Sequence, residues 1–162
     1  MLSKHILLIV VLGAVLFAPS EGRSQDNKAL MRRYFDEVVN KGNLAAIPDF
    51  IASTYVGRQV GTPETKGPED LKQRLTVLRT AFPDLHVTIE DVVVEGDKVA
   101  VRSTYHGTQK GEFRGVAASG KELTWTVIGI QRVENGKFAE GWSLSDLGQQ
   151  LRAASTPGQG KL

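Results

Sequence analysis

The stretches that decide the fold read VAVRSTYHGT (99–108), LTWTVIGIQRV (123–133) and FAEGWSL (138–144). Each is rich in β-branched and aromatic residues, which are typical of strands. The residues between the last two stretches, 134–136, favour a short hairpin, because Asn and Gly tolerate left-handed backbone angles. A fourth stretch, 85–94, precedes the first and is joined to it by a similar turn. We therefore predict four consecutive antiparallel strands that bury one face.

The chain before the sheet shows helical patterns. Apolar residues recur at three- and four-residue spacing over 30–38 and again over 69–82, where Pro68 fits the first helical position. Pro48 makes the short segment 44–50 an irregular helix, because proline removes a backbone donor. Further predicted elements are an edge strand (54–56), two loops (57–67 and 111–120, the second mobile because of its glycines) and a last helix (146–154).

The N-terminal residues differ in kind from the rest. Lys4 and His5 precede an unbroken apolar run, 6–18, which small and turn-forming residues follow. This layout is typical of a secretory signal peptide, whereas a stable membrane span needs about 20 apolar residues. We expect a secreted or periplasmic protein, and an uncleaved anchor is the alternative. The expected segments are a signal peptide (1–20), a polar linker (21–27), a folded domain (28–154) and a flexible tail (155–162).

The composition excludes several classes of partner and site. The chain has no cysteine, which rules out disulfides, thiolate metal sites and a lipoprotein anchor. Lys plus Arg (20) nearly balances Asp plus Glu (18), and the basic residues are scattered. We therefore expect no nucleic-acid partner, and no membrane contact once the signal is removed.

An ordered series of motifs resembles the SnoaL-like polyketide and ester cyclase family. The series is EGDKVAVR (95–102), G-T-x-x-G-x-F (107–113), I-x-R-V-E-N-G-K-F-A-E (130–140) and W-x-x-x-D (142–146). The similarity runs from Lys28 to about Leu151. It implies an α+β, cone-shaped fold of the nuclear-transport-factor-2 (NTF2) type. In that fold a curved antiparallel sheet of four long strands plus a short edge strand packs on about three helices and encloses a small-molecule pocket.

The resemblance also implies chemistry that uses neither a metal nor another cofactor. In the family a pocket carboxylate and its polar neighbours move protons during ring closure. The family's closing strand usually reads Glu-His-Trp-Asp and its glycine loop often carries a His, but this chain has Gly141, Ser143 and Gln109 there. Glycine and glutamine cannot titrate. The remaining catalytic candidates are Asp146, Tyr105 and Gln109, with the helix dipole as a structural alternative for Asp146.

Other polar and aromatic side chains are expected to line the pocket. For Tyr105 and Trp125 core packing is the alternative, and for Arg58 a surface loop. The two histidines of the predicted domain are too few for a catalytic zinc site, which wants about three protein ligands. The expected pocket-lining residues are Tyr34, Tyr55, Arg58, Ser103, Trp125 and Ser143.

Two functions follow from these observations. The first is an exported, cofactor-free enzyme of the ester or polyketide cyclase type, acting on a small apolar or aromatic molecule. The alternative is a non-catalytic binding or interaction module that kept the cone and lost the acid and base. The outer sheet face, with Ile128, Ile130 and Trp142 beside Arg132 and Glu140, further predicts a homodimer through that face.

Overall fold

The computed structural model describes residues 20–155. The predicted signal peptide and the predicted tail lie outside the described residues, apart from Ser20 and Ser155, which are both helical. Within the described part of the chain, no helix is long and apolar enough to cross a membrane.

The chain folds around one six-stranded sheet with the order β2-β1-β6-β5-β4-β3. Each neighbouring pair is antiparallel except β1 and β6, which run parallel. The four long antiparallel strands predicted from the sequence are confirmed as β3 to β6. The strands are β1 (Ile51–Gln59), β2 (Thr65–Lys66), β3 (His86–Glu95), β4 (Lys98–Thr108), β5 (Glu122–Glu134) and β6 (Lys137–Ser145).

The predicted edge strand 54–56 is longer than expected and does not lie at the edge. It is the centre of the nine-residue strand β1, and β2 pairs outside it. The prediction was too short because β1 is stabilised by pairing with β6, which follows it by some eighty residues (Val56 with Glu140, Arg58 with Trp142). Its own residues alternate too weakly to show this. The predicted loop 57–67 therefore contains the end of β1 and all of β2.

Two of the α-helices precede the sheet, one lies between its second and third strands, and one follows its last strand. The first α-helix continues without a break into a π-helical segment, Phe35–Asn40, and a 3₁₀ turn, Leu44–Ala46, leads into the second. Positive φ angles at Asn135 (51°) and Gly136 (73°) shape the predicted turn between β5 and β6. The α-helices are α1 (Ser20–Tyr34), α2 (Ile47–Phe50), α3 (Gly67–Ala81) and α4 (Leu147–Ser155).

The segment 21–27, predicted as a linker, forms the first turns of α1. Its polar composition indicated a linker, but polar side chains are also compatible with the exposed face of a helix. The segment is tied to the sheet, because Asn27 Nδ2 donates to the carbonyl oxygen of Gly96 at 3.4 Å.

The core lies between one face of the sheet and the helices. Residues of α1, α2 and α3 form one apolar cluster with side chains from β1, β3, β4, β5 and β6. Register shifts in β1, β3 and β5 bend the sheet, as bulges do. We call the helix-covered side the inner face and the opposite side the outer face.

Candidate functional site

The strand register determines which side chains share the inner face. Side chains alternate along a strand, and ladder partners point to the same side. Tyr105 pairs with Trp125, which is buried. Ser143 pairs with Gly129, which lies two positions from Val127 and therefore on the same side of β5. Ser103 is fully buried and pairs with Val127, to whose carbonyl oxygen its hydroxyl donates at 3.2 Å. The structure thus places Ser103, Tyr105, Trp125 and Ser143 on the inner face.

All three tyrosines of the chain meet on this side of the sheet. Tyr34, at the end of α1, makes edge-on ring contacts with Phe35, Phe50 and Phe138 at centroid distances of 5.6–5.9 Å. The ring of Tyr105 stacks on Trp125 at 5.4 Å. Tyr55, on β1, is buried. We call Tyr34, Tyr55 and Tyr105 the tyrosine cluster.

The apolar surroundings keep the cluster's hydroxyls neutral. Burial raises the pKa of Tyr34 well above its usual range, and the neighbouring Tyr105 and Tyr55 raise it further. Burial likewise raises the pKa of Tyr105. For Tyr55 burial raises the pKa more than the hydrogen bond with Gln131 and the charge of Arg74 lower it. As whole residues, Tyr34 and Tyr105 nevertheless keep some exposed surface. These hydroxyls are therefore neutral hydrogen-bonding groups at ordinary pH.

A glycine creates the space for the polar part of this site. The Tyr55 hydroxyl donates to Gln131 Oε1 at 3.4 Å. A Cβ atom on Gly141 would lie 2.5 Å from both of these oxygens, which is far inside van der Waals contact. A Cβ atom on Gly57 would lie 2.8 Å from the Tyr55 ring. Side chains at 57 and 141 are thus incompatible with the present position of Tyr55.

Gln131 is a site residue that was not predicted from the sequence. Strand alternation could have found it, because its neighbours Ile130 and Arg132 belong to the predicted outer face. Gln131 pairs with Val99 on one side and with Gly141 on the other. Its amide is the polar partner of the tyrosine cluster.

Asp146, a predicted catalytic residue, lies just before α4. Its Oδ1 accepts from the backbone N–H of Thr126 at 2.7 Å, and its Oδ2 lies 3.5 Å from Gln150 Nε2. Its carbonyl oxygen accepts from the N–H groups of Gln149 and Gln150. These contacts join β5 to the first turn of α4 through Oδ1, whereas Oδ2 has only the longer contact to Gln150.

Gln109, another predicted catalytic residue, is fully buried and organises a loop. Its Nε2 donates to the carbonyl oxygens of Val116 at 3.2 Å and Ala117 at 3.1 Å, and its Oε1 accepts from the Ser119 hydroxyl at 2.8 Å. Its backbone pairs with Lys121 and Gly120 at 2.9 Å. The loop 111–120, predicted to be mobile, is thus held by one side chain whose polar atoms are already bonded.

Arg58 does not lie on the inner face, which corrects the prediction. It pairs with Trp142 on β6, its guanidinium lies 5.7 Å from the Trp142 ring centroid, and its Nε lies 3.1 Å from Glu64 Oε1. Both Arg58 and Trp142 are exposed. The prediction placed Arg58 in a loop, whereas β1 continues through it and alternation turns its side chain outward.

Two other arginines contact the turn that follows β1. Arg74, on α3, donates to the carbonyl oxygens of Pro63 at 2.5 Å and Glu64 at 3.2 Å. Arg114, in the loop 111–120, donates to Gln59 Oε1 at 3.2 Å. We call Arg74 and Arg114 the rim pair.

Potential metal ligands are sparse in the described residues. Among residues 20–155 no three His, Cys, Asp or Glu side chains are grouped closely enough to hold a metal ion. The two histidines of this described range, His86 and His106, are ladder partners, and His106 Nε2 lies 2.8 Å from Glu122 Oε1.

The fold and the inner-face site define the class of protein. A bent sheet with helices packed on one side, and an aromatic and polar inner face between them, is the NTF2-like cone fold. A model of the SnoaL-like polyketide cyclase family matches residues 29–154. The chain belongs to this family, which confirms the resemblance seen in the sequence.

Solved structures show the same fold at moderate sequence identity. A proposed SnoaL-like polyketide cyclase from Jannaschia sp. CCS1 is 27% identical, with a TM-score of 0.77 over 83% of this chain and 94% of its own. TsrD from Streptomyces laurentii is 30% identical, with a TM-score of 0.70 over 80% and 96%. AclR from Streptomyces galilaeus, a proposed hydroxylase, is 26% identical, with a TM-score of 0.71 over 83% and 99%. No curated protein matches significantly.

Proposed function

We propose that this protein is a cofactor-free enzyme of the cyclase type, acting on a small apolar or aromatic molecule that carries carbonyl groups. Family membership supports the reaction type. The observation that carries the proposal is the tyrosine cluster, in which neutral hydroxyls meet among aromatic rings on the inner face. Such surroundings suit a flat aromatic ligand, and the hydroxyls suit its oxygens.

The chemistry of ring closure requires stabilisation of negative charge on oxygen. A base removes a proton from a carbon next to a carbonyl group, and the enolate carbon then attacks a second carbonyl carbon of the same molecule. A carbon–carbon bond forms, the attacked oxygen becomes an oxyanion, and that oxyanion takes up a proton. Neutral hydroxyl donors in a dry site stabilise both charged stages, and one such donor is worth about 10²–10³ in rate.

Asp146 is our proposed base for the proton-removal step. It is the acidic residue at the end of the family's W-x-x-x-D motif, and its Oδ2 has only a 3.5 Å contact to Gln150. The tyrosines cannot supply the base, because a raised pKa disfavours their ionised form. In this account Tyr34, Tyr55 and Tyr105 bind and polarise the substrate's carbonyl oxygens, and Gln131 positions Tyr55.

The test combines turnover and binding. Aryl β-ketoesters with a pendant ketone are the trial substrates, and ring closure is followed by mass spectrometry and ultraviolet absorbance. The methyl ester of anthraquinone-2-carboxylate serves as an inert, carbonyl-bearing probe for binding. We expect Tyr105→Phe to weaken probe binding about 5- to 10-fold, equivalent to one lost hydrogen bond, and to lower turnover. Asp146→Asn should lower turnover and leave probe binding unchanged.

The control is Trp142→Phe, a conservative ring change on the outer face, which should change neither turnover nor probe binding. Ring closure unaffected by both Tyr105→Phe and Asp146→Asn would overturn the proposal.

A specific observation favours the second candidate, a binding module without catalysis. The positions where the resembled family has titratable side chains hold Gly141, Ser143 and Gln109, and the last of these is occupied by its loop. Tyrosine-dependent binding of the probe, with no ring closure of any trial substrate, would support this candidate against the enzyme.

We also propose that the protein is exported. The support is the sequence layout at the N-terminus, a basic start followed by the apolar run 6–18. Mass spectrometry of protein from its own host tests this, and a mature chain that begins near Glu21 is the expected result. A chain that retains residues 1–20 would favour the anchor instead.

We propose in addition that two copies associate through the outer face. Four large apolar residues are exposed there, Ile128 (52%), Ile130 (43%), Trp142 (39%) and Leu144 (58%). They form one contiguous patch, because Ile128 pairs with Leu144 and Ile130 with Trp142. Paired charges flank the patch, Arg102 with Asp91 at 2.6 Å and Arg132 with Glu140 at 3.4 Å. A patch with both signs of charge at its edge suits a self-complementary, two-fold contact.

A further inference from the structure

The rim pair converges on the turn that follows β1. Arg114 Nη2 donates to Gln59 Oε1 at 3.2 Å, and the carbonyl oxygen of Gln59 accepts from the Thr62 hydroxyl at 3.1 Å. The same hydroxyl lies 3.5 Å from Arg74 Nη1. Residues from α3 and from the loop 111–120 therefore bring two guanidinium groups to one short turn.

This turn lies at the end of the inner face. Gln59 is two positions from Gly57 and four from Tyr55, so strand alternation places all three on the same side. Gln59 pairs with Ser143, another inner-face residue. The charge of Arg74 reaches the cluster, since it lowers the pKa of Tyr55 against the larger effect of burial. Arg74 thus lies near Tyr55, and Arg114 lies near Arg74.

Neither guanidinium group forms a salt bridge with a carboxylate of residues 20–155. Their acceptors are the Gln59 amide, the Thr62 hydroxyl and backbone carbonyl oxygens, all neutral. Arg114 is exposed at the surface, and partial desolvation, and next the charge of Arg74, lower the pKa of its guanidinium. A guanidinium has five N–H donors, and Arg114 uses one of them on Gln59. Two close cations with spare donors are suited to an anion.

The backbone at Arg114 is specialised for its position. Among the described residues only Arg114 (φ 53°) and the hairpin residue Asn135 have positive φ without being glycine. Arginine rarely adopts this conformation, which costs energy and is often found at functional sites. Two backbone hydrogen bonds of 3.0 Å between Phe113 and Val116 hold the turn. The Phe113 ring supports the guanidinium at 5.3 Å.

We propose that Arg74 and Arg114 bind the carboxylate of an acidic aromatic substrate, whose carbonyl-bearing ring then lies against the tyrosine cluster. This inference rests on the proposed function and narrows its substrate class from neutral aromatic molecules to aromatic acids. A planar guanidinium matches a carboxylate with two parallel hydrogen bonds, so the pair fixes the substrate's orientation as well as its charge.

The test compares anthraquinone-2-carboxylate with its methyl ester. The two probes share the ring and its carbonyl groups and differ in the anionic charge. We expect the wild type to bind the acid at least about tenfold more tightly than the ester, because hydrogen bonds to charged groups are the stronger ones. Arg114→Gln and Arg74→Gln should each reduce this preference, because the acid loses more affinity than the ester does. Circular dichroism and thermal unfolding establish that each variant is folded.

The matched control is Arg102→Gln, which removes an outer-face arginine paired with Asp91 and should keep the full preference for the acid. Equal affinity for acid and ester, or a preference that survives both rim-pair substitutions, would overturn the inference. If either of these results is found and ester binding still depends on Tyr105, the proposed function stands and only the carboxylate site is rejected. An arginine-dependent preference for the acid, together with affinities for both probes that Tyr105→Phe leaves unchanged, would instead support the anion site and contradict the tyrosine cluster's role. Absence of binding by both probes would count against both.

Discussion

The hydroxyl of Tyr55 lies 3.4 Å from the amide oxygen of Gln131, and these two groups fill the space that a side chain at position 141 would need. The resembled family usually has a histidine at that position of its closing strand, whereas this chain has Gly141. Position 141 therefore carries no titratable side chain here, and a phenol and an amide, neither of which is charged at ordinary pH, occupy the space beside it. Because glycine stands where the family has histidine, we propose that the tyrosines act in this site as hydrogen-bond donors.

The fit around Gly141 predicts the cost of adding a methyl group. In Gly141→Ala the new Cβ would lie 2.5 Å from Tyr55 Oη and Gln131 Oε1, so both side chains must move. Overpacking of this kind costs about 1–3 kcal/mol, and we expect the low end because flexible side-chain ends can shift. Urea unfolding measures the change. Gly148→Ala is the control, since its nearest contact is an ordinary 3.6 Å and alanine favours the helix by up to about 1 kcal/mol.

A double substitution checks the cause of that cost. Adding Gln131→Ala to Gly141→Ala removes one of the two clashing groups, so the combined loss of stability should be smaller than the sum of the single losses. Simple additivity, or a Gly141→Ala variant as stable as the wild type, would show that the space beside Gly141 is not constrained.

The contacts of Gln109 predict a structural effect. Gln109→Ala removes the hydrogen bonds that hold Val116, Ala117 and Ser119, and leaving their polar groups without partners costs about 1–3 kcal/mol. Gln109→Glu should cost more, because it directs a carboxylate at carbonyl oxygens. Thermal unfolding measures both, and binding of the anthraquinone methyl ester should stay within about twofold in the alanine variant. A variant of unchanged stability that loses turnover would instead restore Gln109 as a catalytic residue.

The tyrosine cluster predicts a loss of stability in alkaline solution. Burial raises the pKa of all three tyrosines above their ordinary value of 10.0, so the folded state holds their protons more tightly than the unfolded chain does. Their contribution is complete below about pH 10 and is lost as the pH rises from there toward the folded-state pKa values. Urea midpoints between pH 8 and pH 11.5 should fall, and Tyr105→Phe should reduce the slope. Midpoints independent of pH over this range, or reversible ionisation of all three tyrosines near pH 10 in the folded protein, would show that they are not buried.

The strand pattern was sufficient to predict most of the sheet, but it did not predict the ends of β1. Residues 85–144 alternate clearly and contain their own turns, so short-range information was sufficient for β3 to β6. β1 is specified by its parallel partner β6, distant in sequence, and a local pattern cannot show such pairing. The short prediction for β1 also led to the error at Arg58, whose side chain the continuing strand turns outward.

The candidate site, like the sheet, was predictable where the local strand pattern was sufficient and not where distant segments meet. Strand alternation predicts that Ser103 and Tyr105 share the core-facing side with Val99 and Val101, and both lie on the inner face. The contact between Tyr55 and Gln131 spans 76 residues, and that between Arg114 and Gln59 spans 55. Tertiary packing alone brings such pairs together, so neither Gln131 nor the rim pair was identified from the sequence.

The exposed outer face predicts the effect of a charge at its centre. Trp142→Glu places a carboxylate within the apolar patch of Ile128, Ile130 and Leu144, where a second copy would have to bury it unpaired. We expect a dimeric wild type and a monomeric variant in sedimentation experiments at micromolar concentration. Lys72→Glu, an exposed change on α3, is the control and should remain dimeric. A monomeric wild type would refute the dimer, and a dimeric Trp142→Glu would place the interface elsewhere.

The central claim is that the tyrosine cluster is the ligand-binding centre, and the number of tyrosines allows a direct test. The chain has three, and all belong to the cluster. Protein labelled with ¹³C at tyrosine Cζ should therefore give three signals, assigned by Tyr34→Phe, Tyr55→Phe and Tyr105→Phe. We predict that titration with the methyl ester of anthraquinone-2-carboxylate shifts the signals of Tyr34 and Tyr105, the two tyrosine residues with exposed surface. Three signals that stay unmoved up to the solubility limit of the ester would contradict the account.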